Sequence, residues 1–167
     1  MGAAAAPLAP LSQAHEHTLR QCEALARLVI YLGQCEPDAQ TVRVGQELLN
    51  YFDTVEAQQH AQEEEHLYPA LLEAMAGSDA VCLREMASDL TRQHRLLEGL
   101  WRRLRGEVEA IVAGRPAPSV ITDAEEFVRL TRAHIEDEES EVMPMALRLI
   151  SDDALQRLGA RLGPCQI

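Results

Sequence analysis

Two stretches of the chain carry the same potential ligands in the same order. One begins at His60, places acidic residues at Glu63, Glu64 and Glu65, and reaches a proline at Pro69. The other begins at His134, places them at Glu138 and Glu139, and reaches Pro144. Each reads HxxxEE followed by two apolar residues and a proline. A spacing of four puts the histidine and the first glutamate of each EE pair, Glu64 and Glu138, on one helical face one turn apart. Imidazole beside carboxylate, with no thiolate nearby, is a donor set for iron, manganese or zinc and not for an iron–sulfur cluster.

The elements that must position these residues are helices. Ala, Leu, Glu and Arg dominate, only five residues are Phe or Tyr, and no Val/Ile/Thr-rich strand pattern occurs. Breakers divide the chain into four long segments. The first spans about Leu11 to Leu32 and stops at Gly33. The second is capped by Asp38 and runs to about Ala76, with a kink or break expected near Pro69. The third follows the Gly77-Ser78 stop and runs to about Ala113, before the loop from Gly114 to Pro118. The fourth spans about Ser119 to Ile150, interrupted at Pro144, and a short last helix is capped by Ser151. Short loops make sequential helices antiparallel neighbours. The fold predicted is all-α, an up-down-up-down four-helix bundle with a short C-terminal helix. Residues 1–10 form an extended or disordered segment in this reading, and 11–167 form one domain.

Four of the six histidines lie in apolar rows. His60 aligns with Phe52, Leu67 and Leu71, and His134 with Phe127, Leu130 and Val142. His94 aligns with Leu90, Leu97 and Trp101, and His15 with Leu11, Leu19 and Cys22. His17 and His66 share rows with polar residues. Counted from the loops at 1.5 Å per residue, the four inward histidines fall within roughly one turn of a common level. A lone inward histidine is more often a hydrogen-bonded core residue than a ligand, and a Glu run is usually a solvated face. Four imidazoles and two carboxylates in one apolar layer are another matter, because each costs several kcal/mol unless paired or bound to a cation. Two divalent ions remove that cost. The expected centre has His15, His60, His94 and His134 as ligands, two per ion, with Glu64 and Glu138 bridging. Open positions for an oxo, hydroxo or water bridge suit a non-haem pair of iron ions better than closed tetrahedral zinc.

The series His, HxxxE, His, HxxxE on successive helices resembles the hemerythrin-like HHE cation-binding family, from about His15 to Ile150. The resemblance implies a four-helix bundle with an oxo- or hydroxo-bridged di-iron centre held by those same six residues, with a further ligand from Glu63, Glu98 or Glu139 left open. It differs from oxygen-carrying hemerythrins at two positions. Glu98 stands four residues after His94, where those proteins carry a second histidine. Glu138 precedes Glu139, which occupies their aspartate position. The expected function is binding of, or response to, oxygen, peroxide or nitric oxide. The alternatives are an enzyme with peroxidase, nitric oxide reductase or iron–sulfur repair activity, and an iron store or donor. Tyr68, two turns after His60, reads mainly as core. Trp101 and Cys22 also read as core, and Arg102, Arg103 and Arg105 as a solvated face.

The remaining composition excludes other classes. Net charge is −12, and all fifteen cations are Arg. Such a chain is a poor partner for nucleic acid or anionic membrane surfaces. No apolar run is long enough to span a bilayer. The four cysteines form no CxxC pair, so a reduced, cytoplasmic protein is expected, as a monomer or homodimer whose ligands are small diatomic molecules or peroxide.

Overall fold

The computed structural model describes residues 7–75, 80–117 and 119–162; among them are five helices and no strand. Helix α1 spans Ala9–Leu32, two residues earlier than the apolar pattern predicts, with Pro10 in its first turn, where a missing N–H costs nothing. Helix α2 runs over 39–74. Asp38 caps it, accepting from the backbone of Gln40 and Thr41 while Thr41 accepts in return from the Asp38 N–H. Helix α3 is Ala80–Val112, α4 covers 120–149, and α5 is Asp152–Arg161. Gly114 closes α3 in the left-handed region at φ +68°, the conformation that glycine adopts without strain. Ser151 holds the capping position of α5 without a side-chain hydrogen bond. The Gly77-Ser78 stop lies outside the described residues.

The prolines do not interrupt α2 and α4. The backbone stays helical through Pro69 and Pro144, and the turns before them widen to π-helix at Glu63–Leu67 and Glu138–Val142. A proline ring crowds the carbonyl four residues back and removes one amide donor. A wider turn relieves both effects while the axis continues. A further π-helical turn occurs at Tyr51–Glu56.

Each long helix packs against its sequence neighbour, and α4 closes the bundle onto α1. The core has two apolar halves. One, at the end of the α1–α2 and α3–α4 loops, centres on Leu25, Leu48, Leu104 and Phe127. The other, around Leu11, Leu67, Leu71 and Leu155, brings in α5. Gly159 lets α5 approach the start of α1, since a Cβ there would lie 2.0 Å from the Pro7 carbonyl oxygen. Between the halves lies a buried polar layer.

Candidate metal centre

The layer contains His15 from α1, His60 and Glu63 from α2, His94 from α3, and His134 and Glu138 from α4, each at most 5% exposed. Their donor atoms form two groups in which all atoms lie within 4.8 Å of one another: His60, Glu63, His94 and His134, and His15, Glu63 and Glu138. Glu63 belongs to both. Nε2 of His94 and Nε2 of His134 are 3.0 Å apart. Nε2 of His15 lies 3.0 Å from Glu138 Oε2. The rings of His60 and His94 stack with centroids 3.9 Å apart.

Five of the six residues expected from sequence therefore come together, with Glu138 among them. Glu64 does not join them: its side chain is 21% exposed, accepting from Nδ1 of His94 at 2.7 Å and from Arg95 at 2.6 Å. Glu63 takes the inward place and is fully buried. The correction has a physical reason. On an α-helix, positions three and four beyond His60 both lie near its face, so the count from histidine does not separate them. The π-helical turns do. Glu63 and Glu138 each open such a turn, four residues before a buried apolar side chain (Leu67, Val142) and six before a proline. Counting back from the proline would have found Glu63. The two donor groups hold three histidines and one, where two and two were expected.

The internal repeat also organises the surroundings. Glu139, the residue after Glu138, accepts from Nδ1 of His15 at 2.7 Å, just as Glu64 accepts from Nδ1 of His94. Gln93 Oε1 accepts from Nδ1 of His134 at 2.7 Å. Three imidazoles thus hold an Nδ1 proton outward and turn Nε2 inward, the arrangement that orients metal-ligating histidines. Gln59 donates to Glu63 Oε1 at 3.0 Å, and the Tyr68 hydroxyl donates to Glu138 Oε1 at 2.6 Å. Tyr68 is more than packing. Gln59 and Gln93 carry no sequence signal that separates them from other polar helix residues. Glu98 pairs with Arg95 outside the layer. His17 binds Gln21 and packs on Tyr51, also apart from it. Trp101 is core as expected, with its indole N–H on Asp53 at 2.8 Å.

Charge inside the layer is unevenly held. Burial alone would lower His15, but the Glu138 and Glu63 carboxylates beside it raise it to about 10. His94 is likewise raised, with burial outweighed by Glu63. His60 is lowered to about 3 by burial and then by the neighbouring His94. His134 is lowered for the same first reason. Burial pushes Glu63 up, and the His15 and His94 donors outweigh it, so the carboxyl ends well below its usual range.

Nε2 of His15, Oε2 of Glu63 and Oε2 of Glu138 are buried and meet only as poorly aligned charged contacts, His15 with Glu138 at 3.0 Å and His94 with Glu63 Oε2 at 3.3 Å. Such orphaned atoms are rare in native interiors, and here they converge on one place. The donor chemistry, the outward-held Nδ1 protons and the orphaned inner atoms fit a pair of divalent cations.

Fold and site together define a helical bundle built around a buried cation-binding layer. Residues 6–146 match the hemerythrin HHE cation-binding domain, and the chain belongs to that family. No curated protein matches the sequence. No helix among the described residues is long and apolar enough to cross a membrane.

Proposed function

We propose that this chain is a non-haem di-iron protein that binds or responds to oxygen, peroxide or nitric oxide in the cytoplasm. The observation that carries the reading is the pair of donor groups sharing Glu63, one of four residues and one of three. Ions that favour six donors would keep open positions in both, whereas closed tetrahedral zinc would have none in the first. A pair of iron ions held there would supply electron transfer and accept small ligands at those positions.

The protein's own part is positional and protic. Glu64, Glu139 and Gln93 fix which nitrogen of His94, His15 and His134 faces inward. Gln59 orients Glu63, and Tyr68 keeps its phenolic proton on Oη, raised first by burial and then by Glu138. The two apolar halves exclude bulk water from above and below.

Anaerobic iron titration followed by spectroscopy under oxygen and under nitric oxide tests the proposal. Two irons per chain and a ligand-dependent spectrum are expected; fewer than two irons, or a spectrum indifferent to both gases, would overturn it. Turnover of peroxide or nitric oxide would make the protein an enzyme, and ready transfer of iron to a chelator would make it a store.

A further inference from the structure

Next to the ligand layer, toward the α1–α2 loop, lies a second polar group that the proposed centre does not use. Glu56 is on α2 one turn before His60, about 6 Å along the axis, and is 5% exposed. Its Oε1 has no hydrogen-bond partner, and neither does Oε1 of the buried Gln59; Thr131 of α4, also buried, pairs with Cys22. Cys22 of α1 is fully buried and is influenced by both Glu56 and Thr131, which places the three together. Two unsatisfied oxygens one turn apart in the interior need an explanation.

The one cationic side chain that bears on Glu56 is His94, and its pull does not offset burial and the Glu63 carboxylate. The titratable groups that bear on it are Glu63 along its own helix and His94 from α3, with Cys22 opposite on α1. Helix α4 supplies the neutral Thr131, and its Arg132 bears on Cys22 rather than on Glu56. A proton on Glu56 would also give the carboxyl a donor of its own in this interior layer.

Loading the centre changes this balance. Two divalent cations held by neutral imidazoles and the carboxylates of Glu63 and Glu138 leave a net charge of about +2 in the bundle interior. A third carboxylate one turn away halves that excess. Gln59, which donates to Glu63 and sits one turn beyond Glu56, joins the two layers.

We propose that Glu56 is the charge-compensating acid of the centre, neutral in the metal-free protein and ionised once two divalent cations are bound. In that step the Glu56 O–H bond breaks, the electron pair stays on the carboxylate, and the proton leaves to solvent. The proposal rests on the metal-centre reading. The direction of titration agrees with the geometry: burial, followed by Glu63, raises Glu56 to about 8, and His94 only partly opposes them.

The test is a titration of the metal-free protein with zinc, which is redox-silent, at pH 7, with proton release counted against zinc bound. Wild type should release about one proton more per pair of ions than Glu56→Gln. In infrared spectra of the metal-free wild type, the C=O stretch of a protonated carboxylic acid should be present, and it should disappear on loading. That second measurement needs no variant and stands even if Glu56→Gln does not fold. Two zinc ions per chain with equal proton release in both proteins, or a carboxylic-acid band that survives loading, would overturn the assignment of Glu56 alone. Binding of fewer than two ions would overturn the centre, and the proposal with it.

Discussion

The ligand layer divides into two groups of unequal composition. One gathers three imidazoles and Glu63; the other gathers one imidazole, Glu63 and Glu138. The nitrogen-rich half suits borderline ions such as ferrous iron or zinc, and the carboxylate-rich half suits harder, more highly charged ones. The outer partners stay symmetric, Glu64 on His94 and Glu139 on His15, while the inner donors do not. A repeat can therefore conserve its supporting hydrogen bonds and still deliver two unequal cation sites.

Breaking the shared residue should have the largest effect. Glu63→Ala should abolish loading of both ions, read as metal per chain after gel filtration; retention of one tightly held ion would show that Glu63 is not shared. His15→Ala should remove the carboxylate-rich site and leave one ion bound, whereas His60→Ala should weaken the nitrogen-rich site first. Identical stoichiometry and affinity in those two variants would erase the inequality.

Metal removal should lower the melting temperature by roughly 10–20 °C at cation concentrations about a hundred times Kd, since each of the two sites then contributes about 2.7 kcal/mol. Glu64→Ala should keep both ions but loosen the His94 site by about 10–100-fold, the usual cost of losing a carboxylate behind a ligating histidine.

Glu56 supplies a pH signature in the metal-free protein. Its folded-state pKa of about 8 lies above the ordinary 4.5, so the native chain holds the extra proton between those values. Stability must then fall as pH rises through that window. Glu56→Gln should flatten the fall and melt several degrees higher than wild type at pH 8, with little difference at pH 5. Parallel curves for the two proteins would mean Glu56 is ionised throughout. The smallest effects belong to His17→Ala, His66→Ala and Glu98→Ala, which should leave metal content unchanged and stability within about 0.5 kcal/mol.

The helices and the inward histidines were legible because both follow the 3.6-residue period, which His15, His60, His94 and His134 obey in apolar rows. Glu138 was legible because it lies four residues after His134, with regular helix up to Asp137 and the widened turn starting only at Glu138 itself. Glu63 was not, because the turn that singles it out is set by Pro69 downstream, and local periodicity does not reveal a widened turn. Glu56 sits four residues before His60 in the same row, so the spacing rule applied backward would have found it. Tyr68 was visible as a neighbour of the layer, but its bond to Glu138 depends on the approach of α2 to α4. No pattern within α2 contains that distance.

The polar layer between the two apolar halves also bears on how the molecule comes apart. Leu25, Leu48, Leu104 and Phe127 share no cluster with Leu11, Leu67, Leu71 and Leu155; the side chains between them are imidazoles and carboxylates. Bound cations would weld that seam. Without them the two halves become separate cooperative units along the same helices, and amide hydrogen exchange should resolve two protection levels on either side of residues 60 and 134, merging into one when the ions return.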